Sequence, residues 1–239
     1  MGKNLQIITD IGIDNGGLFS QNGSRNFDVL VVGFSEYVTA RELSAYQRFV
    51  ETGGPVILMD SDNFQVQVGY SLASNHEWLI RGHGWEFDGH SASRGVSNAF
   101  VKNDTNWIGS TSCCFHDFIF GGARLNINDP IGQVLDETFG KNTLFNSYQS
   151  HEENAVRNLT GTSVIATFRN DSGAFIASYA HSYVAGRIVC FCVFGEDIIL
   201  TDKAVQNFLL QSLVLATTYF GTVSNSTDVR LEPVGGSSV

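Results

Sequence analysis

The chain has 239 residues, 43% of them hydrophobic and 16% charged, enough apolar mass to bury a core, which excludes a disordered segment. Its formal net charge of −10, with 14 Lys and Arg against 24 Asp and Glu, excludes the clustered basic footprint that nucleic-acid binding needs. No apolar run reaches the roughly 18 residues of a membrane-spanning helix, so no transmembrane segment is expected.

The start, MGKNLQIITD, lacks the apolar core and the small-residue cleavage site of a secretory signal. The chain therefore reads either as cytosolic or as a trimmed mature chain restarted at Met1. Leu5–Thr9 and Phe27–Gly33 are short apolar runs with strand character, and FDVLVVG is expected to be a central parallel strand, apolar on both faces. In TARELSAYQRFVETGGP, Thr39 and Glu42 have capping-box spacing. Leu43, Tyr46, Phe49 and Val50 line one helical face. Gly53-Gly54 stops the helix, and Pro55–Met59 forms the next strand. This strand–helix–strand unit implies a right-handed crossover.

From about Gly69 to Asn154 the pattern is less regular and rich in Gly, Ser, Asn and aromatic residues. Long functional or partner-binding loops with a few strands are expected there. Regularity returns in SVIATF (163–168), AFIASYAH (174–181) and GRIVCFCVFG (186–195), with Asn170-Asp171-Ser172-Gly173 as a turn between the first two. Residues 202–220 pattern as an apolar helix with Val205, Phe208, Leu209, Leu213 and Ala216 on its buried stripe, followed by the tail EPVGGSSV. One hydrophobic core, and so a single domain over 1–239, is expected.

Two features favour an exported, extracellular or cell-surface protein. Asn-x-Ser/Thr glycosylation sites occur at Asn22, Asn103, Asn158, Asn170 and Asn225. Cys113 and Cys114 are adjacent, and Cys190 and Cys192 alternate on one strand pattern. They read either as buried small hydrophobes or as partners in a disulfide of an oxidising compartment. Neither spacing matches a CxxC-type zinc site.

FSEYVTARELSAYQRFVETGGPVILMDSDNF resembles a class I glutamine amidotransferase-like domain, with the short strand, the EY that follows, the helix ending in GGP and the strand leading into DNF. Within that superfamily it is most similar to the C-terminal domain of the N,N-dimethylformamidase large subunit and its archaeal relatives. RGHGWEFDG (81–89), HEEN (151–154) and GRIVCFCVFGEDII (186–199) carry the same resemblance. The resemblance implies a three-layer α/β/α, flavodoxin-like fold with a mostly parallel sheet and an antiparallel C-terminal extension.

True amidotransferases of this class place a nucleophilic Cys after the strand that ends here at Met59, with a His-x-Glu pair later. No Cys lies between residues 55 and 70, and Ser61 is the only hydroxyl of the corner Asp60-Ser61-Asp62-Asn63. Flanking carboxylates oppose an alkoxide there, and the G-x-[CS]-x-G elbow is absent. Dimethylformamidase-like chemistry instead resembles a mononuclear iron hydrolase held by two tyrosines and a glutamate. The resemblance puts the first tyrosine on Tyr37 and the glutamate on Glu153, with His151 as its companion. The second tyrosine position is Gln65, whose neutral amide is a poor ligand for ferric iron.

His83 with Glu86, His116 with Asp117, and His151 with Glu152 and Glu153 offer imidazole–carboxylate pairs for iron or zinc, against the alternative of solvated or backbone-bonded loop histidines. His181 lies on a strand pattern and reads as structural. The expectation is a non-catalytic relative that binds a protein partner or self-assembles. The rival is a metal-dependent amide hydrolase using Tyr37, His151 and Glu153, with Ser61, His83 or Glu86 assisting. No cofactor is favoured.

Overall fold

The computed structural model describes residues 6–33, 35–59, 63–74, 76–82, 99–100, 106–121, 124–126, 128–129, 132–133, 147–156, 160–170 and 173–191. They form an α/β structure with mixed sheets and few helices. Its centre is the expected strand–helix–strand unit: β1 (Leu30–Val32), α2 (Ala40–Glu51) and β3 (Val56–Leu58), with β1 and β3 parallel. A short helix, α1 (Asp10–Asp14), precedes them.

Helix α2 begins where its sequence says it should. Thr39 Oγ1 accepts the Glu42 amide at 3.1 Å, and the Glu42 carboxylate accepts the Thr39 amide at 3.3 Å, closing a reciprocal capping box. The helix ends at Thr52, and Gly53 follows with φ +89°, a left-handed conformation that glycine adopts without strain. Leu43, Tyr46, Phe49 and Val50 are all buried and join Leu30, Val32, Val56 and Ile188 in one core. Thr39→Ala removes the cap, and chemical denaturation should show a loss of about 1–2 kcal/mol. A loss no larger than that of an exposed helix substitution such as Ser44→Ala would show that the cap adds nothing.

The main sheet has the order β1-β3-β11-β10-β9-β7, with β7 at Arg124–Leu125, β9 at Thr162–Asn170, β10 at Gly173–Tyr183 and β11 at Gly186–Phe191. Strands β1, β3 and β11 are parallel, with Val31 opposite Ile57 and Val189 opposite Ile57 on the other side. Strands β10, β9 and β7 are antiparallel additions. The described sheet is thus divided between a parallel half and an antiparallel half. Gly186 starts β11 where a Cβ would lie 2.2 Å from the Val50 carbonyl oxygen, so the end of α2 can press directly on the strand.

Two smaller sheets complete the described chain. Strands β2 (Tyr37–Val38), β4 (Val66–Ser71) and β5 (His76–Arg81) form one, and β6 (Ser110–Gly121) with β8 (Ser147–Val156) form the other. The middle region therefore holds long strands as well as connections. Their polar, aromatic composition hides a strand period that cross-strand pairing supports.

Two local expectations come out differently. Gln6–Thr9 is not a strand: Thr9 Oγ1 accepts the Gly12 amide at 3.2 Å and caps α1, while Ile7 is 92% exposed. Strand β1 is shorter than FDVLVVG and stands at the end of the described sheet order, with Val31 42% exposed rather than buried on both faces. An edge strand needs only one apolar face, and the composition of FDVLVVG does not reveal its position in the sheet. The helix expected at 202–220 lies outside the described residues.

Candidate functional site

Parallel pairing brings the carboxyl ends of β1 and β3 side by side, the end of an open α/β sheet where ligands gather. From β1 the chain passes through Ser35 and Glu36 into β2 and α2. From β3 it turns through the corner into β4. Backbone hydrogen bonds stitch these two exits together. Phe64 donates to the Ser35 carbonyl at 2.8 Å, and Gln65 and Val66 donate to the Glu36 carbonyl at 3.0 and 2.9 Å. The buried Asn63 side chain accepts the Ser35 amide at 3.0 Å, so this corner residue is a strut.

Phe64 carries the local strain. Its φ is +62°, a left-handed conformation that costs a bulky residue free energy. Its ring is fully buried, with centroids 5.1 Å from Tyr46 and 5.6 Å from Trp107. Burial of a large aromatic offsets the backbone cost. The strained residue after β3 thus points an inert ring into the core.

A group of carboxyls surrounds the start of α2. Glu42 is buried, and desolvation, followed by the charge of Asp10, pushes its carboxyl up to about 9. One of its oxygens takes the Thr39 amide, while no N–H or O–H donor reaches Oε1. The Asp10 carboxyl interacts with that side chain, so the hydrogen bond open to the pair is one in which a carboxyl keeps its proton. Asp14 bonds the Thr39 hydroxyl and forms a 2.6 Å ion pair with Arg41. Burial, and then Glu42 and Asp10, raise the Tyr46 phenol above its ordinary range. Burial and Asp10 also raise the Glu77 carboxyl of β5. At neutral pH the buried Glu42 is thus a neutral acid and Tyr46 a neutral phenol.

The described site residues Tyr37, His151 and Glu153 lie in two different sheets. Tyr37 pairs with Val66, the residue that follows Gln65. His151 and Glu153 lie on β8 in the separate two-stranded sheet, with Glu153 opposite Cys114. Asp60, Ser61, Asp62, His83 and Glu86 lie outside the described residues, as do Asn103, Asn158, Asn225 and Cys192. Asn22 sits in an exposed turn, where its Oδ1 accepts the Ser24 amide at 3.0 Å, and Asn170 ends β9 opposite Gly173. Cys190 is buried on β11, and Cys113 and Cys114 lie on β6. Among the described residues, no group of three His, Cys, Asp or Glu side chains is arranged to hold a metal.

His181 is buried on β10, where its Nδ1 lies 2.6 Å from the Thr162 hydroxyl. Desolvation lowers its pKa, so the ring stays neutral as a structural residue. The Asp10–Glu42 pair was not singled out in the sequence, although a signal was there. Glu42 stands four, seven and eight residues before Tyr46, Phe49 and Val50, on the helix face that the apolar stripe buries.

No protein-family model and no curated protein matches the sequence. Among solved structures, the chain is similar to a β-galactosidase from Bacillus circulans sp. alkalophilus, with a TM-score of 0.46 and 12% identity over 87% of this chain and 26% of that one. It is similar to a cytoplasmic protein of Salmonella typhimurium, with a TM-score of 0.47 and 10% identity over 89% and 76% of the two chains. A protein described as ThuA-like, from Bacteroides uniformis, gives a TM-score of 0.43 and 13% identity over 78% and 68%. The chain spans only 22% to 26% of the length of two of the matched β-galactosidases. At TM-scores below 0.5, these likenesses assign neither a family nor a function.

Proposed function

We propose that this chain is a non-catalytic domain of an exported, glycosylated protein, acting in binding or assembly. Its scaffold is the flavodoxin-like three-layer architecture of amidotransferase-like domains, most similar to the dimethylformamidase C-terminal domain. The observation that carries this is Phe64: among the described residues of the turn from β3 to β4, the strained one holds a fully buried ring rather than a reacting group. Gln65, next to the Tyr37 partner Val66, adds a neutral amide where the metal-dependent pattern has a tyrosine. In support of three layers, Val56, Ile57 and Leu58 of β3 are all buried, so cover is needed on both faces of the sheet. Helix α2 supplies one layer. In support of binding, β5 is exposed along its length, with Trp78, Leu79 and Ile80 38% to 53% accessible.

Metal analysis of protein purified without added metal or chelator tests this reading. Iron and zinc are expected well below one per chain and unchanged in Tyr37→Phe and Glu153→Ala. Hydrolysis of a small formamide is expected to be undetectable. Stoichiometric metal lost in Glu153→Ala, with formamide hydrolysis lost alongside it, would establish the hydrolase instead.

A further inference from the structure

Helix α1 rests on the start of α2 through a set of acidic contacts that the proposed function does not use. Asp14 bonds the cap hydroxyl of Thr39 and pairs with Arg41 at 2.6 Å. Ile13 of α1 is buried in the core, whereas Ile11 is 40% exposed, so the helix is anchored on one side only. Beneath it lies Glu42, 2% exposed, with Oε1 unreached by any N–H or O–H donor and the Asp10 carboxyl as its polar neighbour.

We propose that Glu42 and Asp10 share one proton and form a pH-operated latch that holds α1 against α2. The proton lets one carboxyl donate to the other, satisfying Glu42 Oε1 where nothing else does. Its loss places a buried carboxylate against Asp10 and Asp14 of α1, with no nearby ammonium among the described residues. The charged and titratable groups facing Glu42 are Asp10 and Asp14 from α1 and Tyr46 from α2. Glu77 of β5 faces Asp10 and adds to the negative charge. Arg41 is committed to Asp14, and its side chain is 73% exposed, so solvent weakens its compensation. Tyr46 is still protonated when Glu42 ionises, because burial raises the phenol further.

The sign follows from the direction of the shift. Glu42 retains its proton in the folded chain after an exposed glutamate has lost its own. The latch is therefore tightest below the ordinary carboxylate range, loosens steadily as pH rises above it, and is fully released past about 9. Opening frees α1 locally while the core stays folded. The inference is independent of whether the corner binds metal, and metal content does not bear on it.

Carbon-13 NMR of the side-chain carboxyls from pH 5 to 10.5, with α1 amide exchange normalised to intrinsic rates, tests the latch. The Glu42 carboxyl is expected to titrate near 9. Protection of the α1 amides should fall by about tenfold per pH unit from the ordinary carboxylate range up to that pH, and level off above it. In Glu42→Gln the amide replaces the shared proton, and protection should stay flat. In Asp10→Asn the loss should level off at a lower pH, because Asp10 is one of the groups that raise Glu42. Titration of Glu42 in the ordinary carboxylate range would overturn the latch. So would flat protection in the unmodified chain, or an equal loss in Glu42→Gln.

Discussion

Phe64→Ala is expected to lower the unfolding free energy by about 3–5 kcal/mol in urea denaturation, the range for deleting a fully buried aromatic ring. Phe64 is 0% exposed and packs between Tyr46 and Trp107, so the cavity opens in the middle of the core. The companion variant Phe64→Gly makes the test specific. Glycine ordinarily destabilises more than alanine, because it frees the unfolded chain. At φ +62° the order should reverse, since glycine sheds a left-handed penalty of about 1–2 kcal/mol that alanine keeps. The glycine variant should therefore be the more stable of the two by about 1 kcal/mol. If alanine proves the more stable, Phe64 does not hold a strained backbone, and the account of the corner fails.

The second large effect is expected at Asp129. Its side chain is 1% exposed and lies 4.0 Å from Arg187, which is itself buried at the start of β11. Asp129 Oδ1 also accepts the Gly132 amide at 3.1 Å, and Arg187 donates to the Ser163 hydroxyl of β9 at 3.0 Å. The pair thus links the loop after β7 to β9 and β11 across the antiparallel half of the sheet. Asp129→Ala removes a carboxylate from beside the buried guanidinium, and the expected loss is about 3–5 kcal/mol. The double variant Asp129→Ala with Arg187→Met removes both charges and should lose less than Asp129→Ala alone. A double-variant loss equal to the sum of Asp129→Ala and Arg187→Met measured singly would mean that the two groups are not coupled, and that Asp129 acts only through its bond to Gly132.

What was legible in the sequence was local. Thr39 and Glu42 three residues apart, an apolar stripe at helical spacing and a Gly-Gly stop define α2, and the structure places its ends there. The runs that became β9, β10 and β11 carry their own period and a turn between the first two. Helix α1 was missed, because five residues hold too little pattern and Thr9 serves a strand as readily as a cap. The burial of Glu42 could have been read from its place on the apolar stripe, although the type of the residue argued against it.

The sequence by itself determined the α/β class, the strand–helix–strand unit with its cap and stop, the antiparallel C-terminal strands, and the absence of a cysteine after β3. Each depends on residues close together in the chain, where spacing alone fixes which side chains share a face. Only the tertiary structure decided that β1 lies at the end of the described sheet order, that Phe64 takes a left-handed backbone under a buried ring, and that Tyr37 pairs with Val66. It alone brought Asp10 to Glu42, 32 positions along the chain. Burial and Coulomb interaction depend on distance through space, which the order of residues does not state.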